Sequence, residues 1–176
     1  MKRIILIIFA VSFSNLYSQA IPDSLKLWKR GGSGTLNFSQ ISLSNWAQGW
    51  ENAISATSLF NLFANYKRER SSFDNAFALT YGFFKTGQTP LRKSDDKIEI
   101  SSKYGYQTGK HWYLATLLSF RSLLKPGFNF PNDSVKIADF LAPGYITLSS
   151  GMDYKPKEDF SFFLSPITGK VTIVNN

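Results

Sequence analysis

The sequence contains no cysteine in its 176 residues. That excludes a disulfide framework, a thiolate metal site and a thiol nucleophile. It also excludes a lipoprotein anchor, which is built on a cysteine. Histidine occurs once, as His111. Charged residues make up only 18% of the chain, below the ~25% typical of a soluble domain. No apolar run reaches the ~20 residues that a membrane-spanning helix needs. What is plentiful is aromatic: 16% of the chain, with 16 phenylalanines. A water-soluble protein this aromatic should bury most of its rings, whereas a lipid-facing barrel can carry them on its outside.

The N-terminus has the layout of a secretory signal peptide rather than a short buried helix or anchor. Lys2 and Arg3 are a basic start, Ile4 through Phe13 an apolar run, and Ser18-Gln19-Ala20 offers small residues where a signal peptidase reads. The expected segments are therefore a signal peptide at 1–20, a leader at 21–34 and one β domain at 35–176. Within the leader, Gly31-Gly32-Ser33-Gly34 predicts a flexible joint; it lacks the strand-to-helix context of a nucleotide loop. The formal net charge is +8, or about +6 once Lys2 and Arg3 are removed. The basic residues gather in turns, at Lys67, Arg68 and Arg70, at Arg92 and Lys93, and at Lys155 and Lys157. They form no helical stripe, which argues against nucleic acid as a partner.

Period-two alternation dominates the rest. In Phe73–Phe84 the odd positions (Phe73, Asn75, Phe77, Leu79, Tyr81, Phe83) are large and mostly apolar, and most even ones are small or polar. Ile98–Gln107 and Trp112–Ser122 alternate likewise, with Tyr104, Leu114 and Leu118 on the large face and Glu99, Lys103 and Arg121 opposite. Weaker patterns at 35–43, 54–66, 145–154, 160–165 and 171–174 bring the expected total to about eight strands. The connections 67–72, 108–110 and 155–159 are short, whereas 44–53, 85–97 and 123–142 are longer. Outer-membrane barrels have that asymmetry, with short periplasmic turns and long external loops. Each short turn is flanked by aromatics: Tyr66 with Phe73, Tyr106 with Trp112, Tyr154 with Phe160. Paired across three hairpins, they predict part of an aromatic girdle at one membrane interface. The competing arrangement is a soluble, lipocalin-like barrel with its large face turned inward.

Three local motifs add a resemblance. Gln40-Ile41-Ser42-Leu43-Ser44-Asn45-Trp46-Ala47-Gln48-Gly49, Leu141-Ala142-Pro143-Gly144-Tyr145 and Asp153-Tyr154-Lys155-Pro156 together resemble a Bacteroidota outer-membrane family catalogued as domain of unknown function 3078. The similarity runs from about Trp28 to the end. It implies an outer-membrane β-barrel-like protein with no established activity, and it supplies no catalytic or binding residues. The chain stops at Val174-Asn175-Asn176 without the aromatic that usually ends a barrel strand, so truncation or an unusual closure is expected.

Chemistry is sparse. His111 could serve a serine–histidine hydrolase, yet it follows the turn Thr108-Gly109-Lys110 and is expected at the periplasmic end, away from outer-leaflet lipids. Asp95, Asp96 and Glu99 offer oxygen ligands without ordered calcium-loop spacing, and Arg92, Lys93 and Lys97 would repel a cation. Thr168-Gly169-Lys170 lacks the remainder of a phosphate loop. Trp46 and Trp50, in the first long loop, are candidate external contacts for sugars or lipid headgroups, or equally a cover for the barrel mouth. No catalytic residue, metal site or cofactor is expected.

The sequence thus predicts an all-β, antiparallel, up-and-down transmembrane barrel of about eight strands in the outer membrane, with a structural, ligand-binding or small-pore role. Its expected partners are outer-membrane lipid and, during biogenesis, the barrel-assembly machinery. The alternatives are a soluble periplasmic binder and, less favoured, a lipid-modifying enzyme. Inside the barrel, Glu99 and Arg121 are expected to pair diagonally, on a register that sets Tyr106 opposite Trp112. A charge at Ala115, on the inner face, is expected to be better tolerated than one at Leu114.

Overall fold

The computed structural model describes residues 27–42, 51–129, 135–157 and 160–175. The proposed signal segment, the Asn45–Gly49 motif, Trp46 and Trp50 lie outside them. The described residues contain strands and no helix. In chain order the strands are β1 (Trp28–Ile41), β2 (Ala53–Arg68), β3 (Ser71–Thr86), β4 (Arg92–Gln107), β5 (Trp112–Ser122), β6 (Gly127–Phe128), β7 (Lys136–Ala138), β8 (Gly144–Lys157) and β9 (Phe160–Ile173). Seven of them form one antiparallel up-and-down sheet in the order β1-β2-β3-β4-β5-β8-β9, and β6 pairs with β7 in a ribbon inside the β5–β8 connection.

The sheet starts earlier than alternation suggests. Gly31, Gly32 and Gly34 are ladder residues of β1, not a flexible joint. A Cβ on Gly31 would sit 2.6 Å from the Phe63 ring, and one on Gly32 would sit 2.5 Å from the Leu62 side chain. The glycines therefore make room for side chains of β2, which cover them. A domain boundary at residue 35 would cut this strand.

Two further expectations change. Residues 85–97 are not a long loop: β3 and β4 extend until only 87–91 connect them. The two weak segments at 160–165 and 171–174 are one strand, β9, with Pro166 inside it. β9 is an edge strand, where a missing N–H disrupts no central ladder. Among the described residues the sheet thus has seven large strands, close to the expected number of about eight. With an odd number, antiparallel strands leave the two edges, β1 and β9, running in the same direction.

Burial is inverted relative to a water-soluble fold. Ala115 is the buried hydrophobic residue of the described chain, and the largest fully buried side chains are Asp153 and Ser122. Exposed residues include Leu36, Phe38, Phe60, Leu62, Ile100, Tyr104, Leu114, Leu118, Leu148, Leu164 and Val171. Soluble domains do the opposite, since Asp is almost never fully buried unless paired.

The register explains which side chains share the inner face. One row across the sheet is Ser72, Gly105, Ala115 and Gly151; the next is Asp74, Lys103, Leu117, Ser149 and Thr168. Above them lie Ala76, Ser101, Ser119, Thr147 and Lys170, then Ala78, Glu99, Arg121, Tyr145 and Thr172. The outer face of the same strands is uncharged from Phe73 to Phe83 on β3 and from Ile98 to Tyr106 on β4. Its few polar groups are partnered: Ser102 donates to Asn75, Asn75 donates to the Ala64 carbonyl, and the Thr116 and Ser150 hydroxyls lie 3.2 Å apart.

Candidate functional site: a charged interior

Curvature brings together strands that are not neighbours. Lys103 on β4 reaches over β5 to Asp153 on β8, with 2.5 Å between ammonium and carboxylate. Lys155 on β8 lies 3.3 Å from Asp74 on β3 and 3.5 Å from Asp153. Ser161 on β9 donates to Asp153 at 2.6 Å. Asp153 is fully buried, and a buried carboxylate persists only with such partners. The Lys103 ammonium also lies 4.9 Å from the centre of the Phe163 ring, and Lys155 lies 5.4 Å from that of Tyr113. Two lysines and two aspartates thus form one balanced network deep on the inner face.

A second cluster lies toward the long-loop end. Glu99 and Arg121 are direct ladder partners and are joined by an ion pair. The diagonal geometry expected from sequence is wrong by one ladder step on each strand. Lys97 is 2.8 Å from Glu99 on its other side. Lys170 lies 4.3 Å from the centre of the Tyr145 ring. Glu99, Arg121, Tyr145 and Lys170, with the small residues of the row below, line a cavity of about 650 Å³. Arg121 and Lys97 stay well exposed, so this cluster is wetter than the one around Asp153.

The register error has a local cause. The Thr108 and Gly109 amides both donate to the Trp112 carbonyl, as does the Thr108 hydroxyl. That carbonyl is used to close a loop spanning 108–111, and the ladder begins at Gln107 with Tyr113. Tyr106 therefore faces Leu114, and Trp112 stacks against Tyr154 on the next strand, at 4.8 Å between centroids. Tyr66 does face Phe73. Tyr154 faces Phe162 rather than Phe160, because a bulge between Tyr154 and Lys157 shifts the register. Trp28, assigned to the leader from sequence, packs on Tyr66 at 5.1 Å. The aromatic residues at the short-turn end are thus regrouped, with Trp28–Tyr66 and Trp112–Tyr154 as their stacked pairs.

The remaining candidates separate. His111 lies in the 108–111 loop, and its ring meets Tyr154 edge-on at 6.2 Å. It therefore packs with the outward aromatics, not inward as its alternation with Tyr113 suggests. Asp96 is not a ligand in waiting. It pairs with Lys93 at 2.7 Å and accepts the Leu124 and Lys125 amides, both at 2.9 Å, clasping the start of the β5–β8 connection. No group of acidic, histidine or cysteine side chains among the described residues has a metal-holding arrangement. Sequence reading had placed Lys103 on the inner face but missed its partner, Asp153. The available signal was the alternation Ser149, Gly151, Asp153 against Leu148, Met152, Tyr154.

The sequence family described as protein of unknown function (DUF3078) matches residues 38–128, just over half of the chain. No curated protein and no solved structure matches significantly.

Proposed function

The chain belongs to the DUF3078 family of proteins of unknown function, and we propose that it is an outer-membrane β-barrel protein with a charged, partly filled interior and a structural or binding role. The observation that carries this reading is the inverted burial: Asp153 and Ser122 fully inside, and Leu114, Leu118 and Leu148 about half exposed. The uncharged outer band supports it. Phe73 to Phe83 covers roughly 33 Å along the strand at ~3.3 Å per residue, or ~25 Å in height at the usual barrel tilt. That is the height of the apolar band of such barrels. The aromatics at the short-turn end suit the membrane interface, where an apolar body and a polar tip are both accommodated.

A lipocalin-like binder would need the large face inside. A wide pore would leave Asp153 hydrated, not fully buried against Lys103. In hydrocarbon every backbone group needs a partner, so this reading requires the free edges of β1 and β9 to be paired in the membrane; slow amide exchange along both edges would check that. Residues 1–20 would be removed on export, and the barrel-assembly machinery would insert the product.

Density-gradient fractionation with N-terminal sequencing tests the proposal. A chain starting at Ile21 in the outer-membrane fraction, migrating differently before and after boiling, is expected. A soluble periplasmic product would overturn it.

A further inference from the structure

The short-turn end has a cavity of its own, of about 640 Å³. It is lined by Lys29 on β1, Lys67 on β2, Lys155 and Lys157 on β8, and Asp74 and Tyr113. β2 and β8 are separated in the sheet by β3, β4 and β5. The curl of the sheet therefore brings lysines to this mouth from opposite sides.

The floor is close to neutral, because Lys155 and Lys103 are matched by Asp74 and Asp153. Lys29, Lys67 and Lys157 have no ion-pair partner among the described residues, and all three are exposed. Their summed charge stays positive when Glu158 and Asp159, next in the sequence, are counted. Arg30, also at this end, lies over the Trp28 ring, 5.3 Å from its centre. The mouth is thus a lysine-lined vestibule above a charge-balanced floor. Charges of one sign in a concave site with low-dielectric walls raise the local concentration of counter-charged ligand.

We propose that this mouth binds a phosphate ester. Lysine is a compact point-charge donor suited to phosphate, and ammonium groups from two sides match a group carrying up to two negative charges. Tyr113, with Leu27 and Pro156 in the same lining, gives the remainder of the ligand a surface. The source is either a soluble phosphorylated molecule or a lipid headgroup. The site depends on the curled sheet and not on what contacts its outer face.

The full-length mature protein in neutral detergent is titrated calorimetrically with glycerol 3-phosphate and, separately, with lysophosphatidic acid; lysophosphatidylcholine is the zwitterionic control. Saturable binding of at least one phosphate probe, weakened about tenfold or more by Lys29→Gln with Lys157→Gln, is expected. Lys85→Ala, at the opposite end, leaves it unchanged. Binding of glycerol 3-phosphate assigns a soluble ligand; binding of lysophosphatidic acid alone assigns a headgroup. If the double variant fails to fold, salt titration of the unaltered protein replaces it, and affinity must fall as ionic strength rises. No saturable binding of either probe, equal binding of the control, insensitivity to both lysines and salt, or equal loss in Lys85→Ala overturns the proposal. None of these results depends on where the protein fractionates.

Discussion

Lys103 and Asp153 are in contact at 2.5 Å although β5 runs between their strands. A flat sheet could not bring them together, so the pair measures the curl of the sheet. It also explains how Asp153 can be fully buried: two lysines and the Ser161 hydroxyl surround it. Breaking such a pair leaves one charge stranded. Lys103→Met and Asp153→Asn should each destabilise by about 3–5 kcal/mol. The double variant should lose much less than the sum, read as a double-mutant cycle in denaturant unfolding. Additive losses would mean that the two residues do not stabilise one another.

Glu99 and Arg121 provide the contrast. They pair directly, but Arg121 is largely exposed and Glu99 partly so. Water screens such a pair, and its coupling should be about 1 kcal/mol or less. The cycle with Glu99→Gln and Arg121→Gln checks this; a coupling as large as that of Lys103 with Asp153 would show a dry upper interior.

Orientation can be tested with single charges. Leu114→Arg places a charge on the outer face and should cost about 2–4 kcal/mol near the midplane of a bilayer. Ala115 is the wrong inner control, contrary to the sequence-based expectation: it is 1% exposed and packed in the row with Ser72, Gly105 and Gly151. Ala76, exposed inside the upper cavity, is the right one. Ala76→Arg should be nearly neutral in unfolding from lipid vesicles. Greater damage at Ala76 than at Leu114 would reverse the assigned faces.

Outside the strands, Asp139 is held below its ordinary carboxylate value, first by its hydrogen bond with Lys136 and then by the Phe140 amide. A lowered folded-state pKa stabilises at pH above the unfolded value, and that contribution disappears as pH falls through the folded one. The Asp139–Ala142 bridge should therefore persist at neutral pH and loosen only in acid below the usual aspartate range. The Phe140 amide shift, followed by NMR titration, should report that midpoint. A midpoint at or above the ordinary aspartate value would contradict it.

How much was legible in the sequence depended on side-chain size. Phe73, Phe77, Leu79 and Phe83 alternate with Asp74, Ala76, Ala78 and Gly82, so β3 and its two faces could be read directly. β1 could not, because Gly31 and Gly32 look like a joint until Phe63 and Leu62 are known to fill their space. Register was misread where it depends on the turn. Nothing local reveals that the Trp112 carbonyl closes the 108–111 loop and moves Tyr106 to Leu114. The central network was illegible for a deeper reason. Lys103 meets Asp153, and Lys155 meets Asp74, only because the whole sheet curves, and curvature is not a property of any one segment.

The central claim is that the large face contacts hydrocarbon, and collision accessibility of a spin label tests it most directly. The absence of cysteine lets a single label be introduced by Leu118→Cys on the outer face or Ala76→Cys on the inner one. In protein reconstituted into lipid vesicles, the label at position 118 should collide readily with oxygen and poorly with a water-soluble nickel chelate. The label at position 76 should show the reverse preference. Ready collision with the nickel chelate at position 118 would contradict the account.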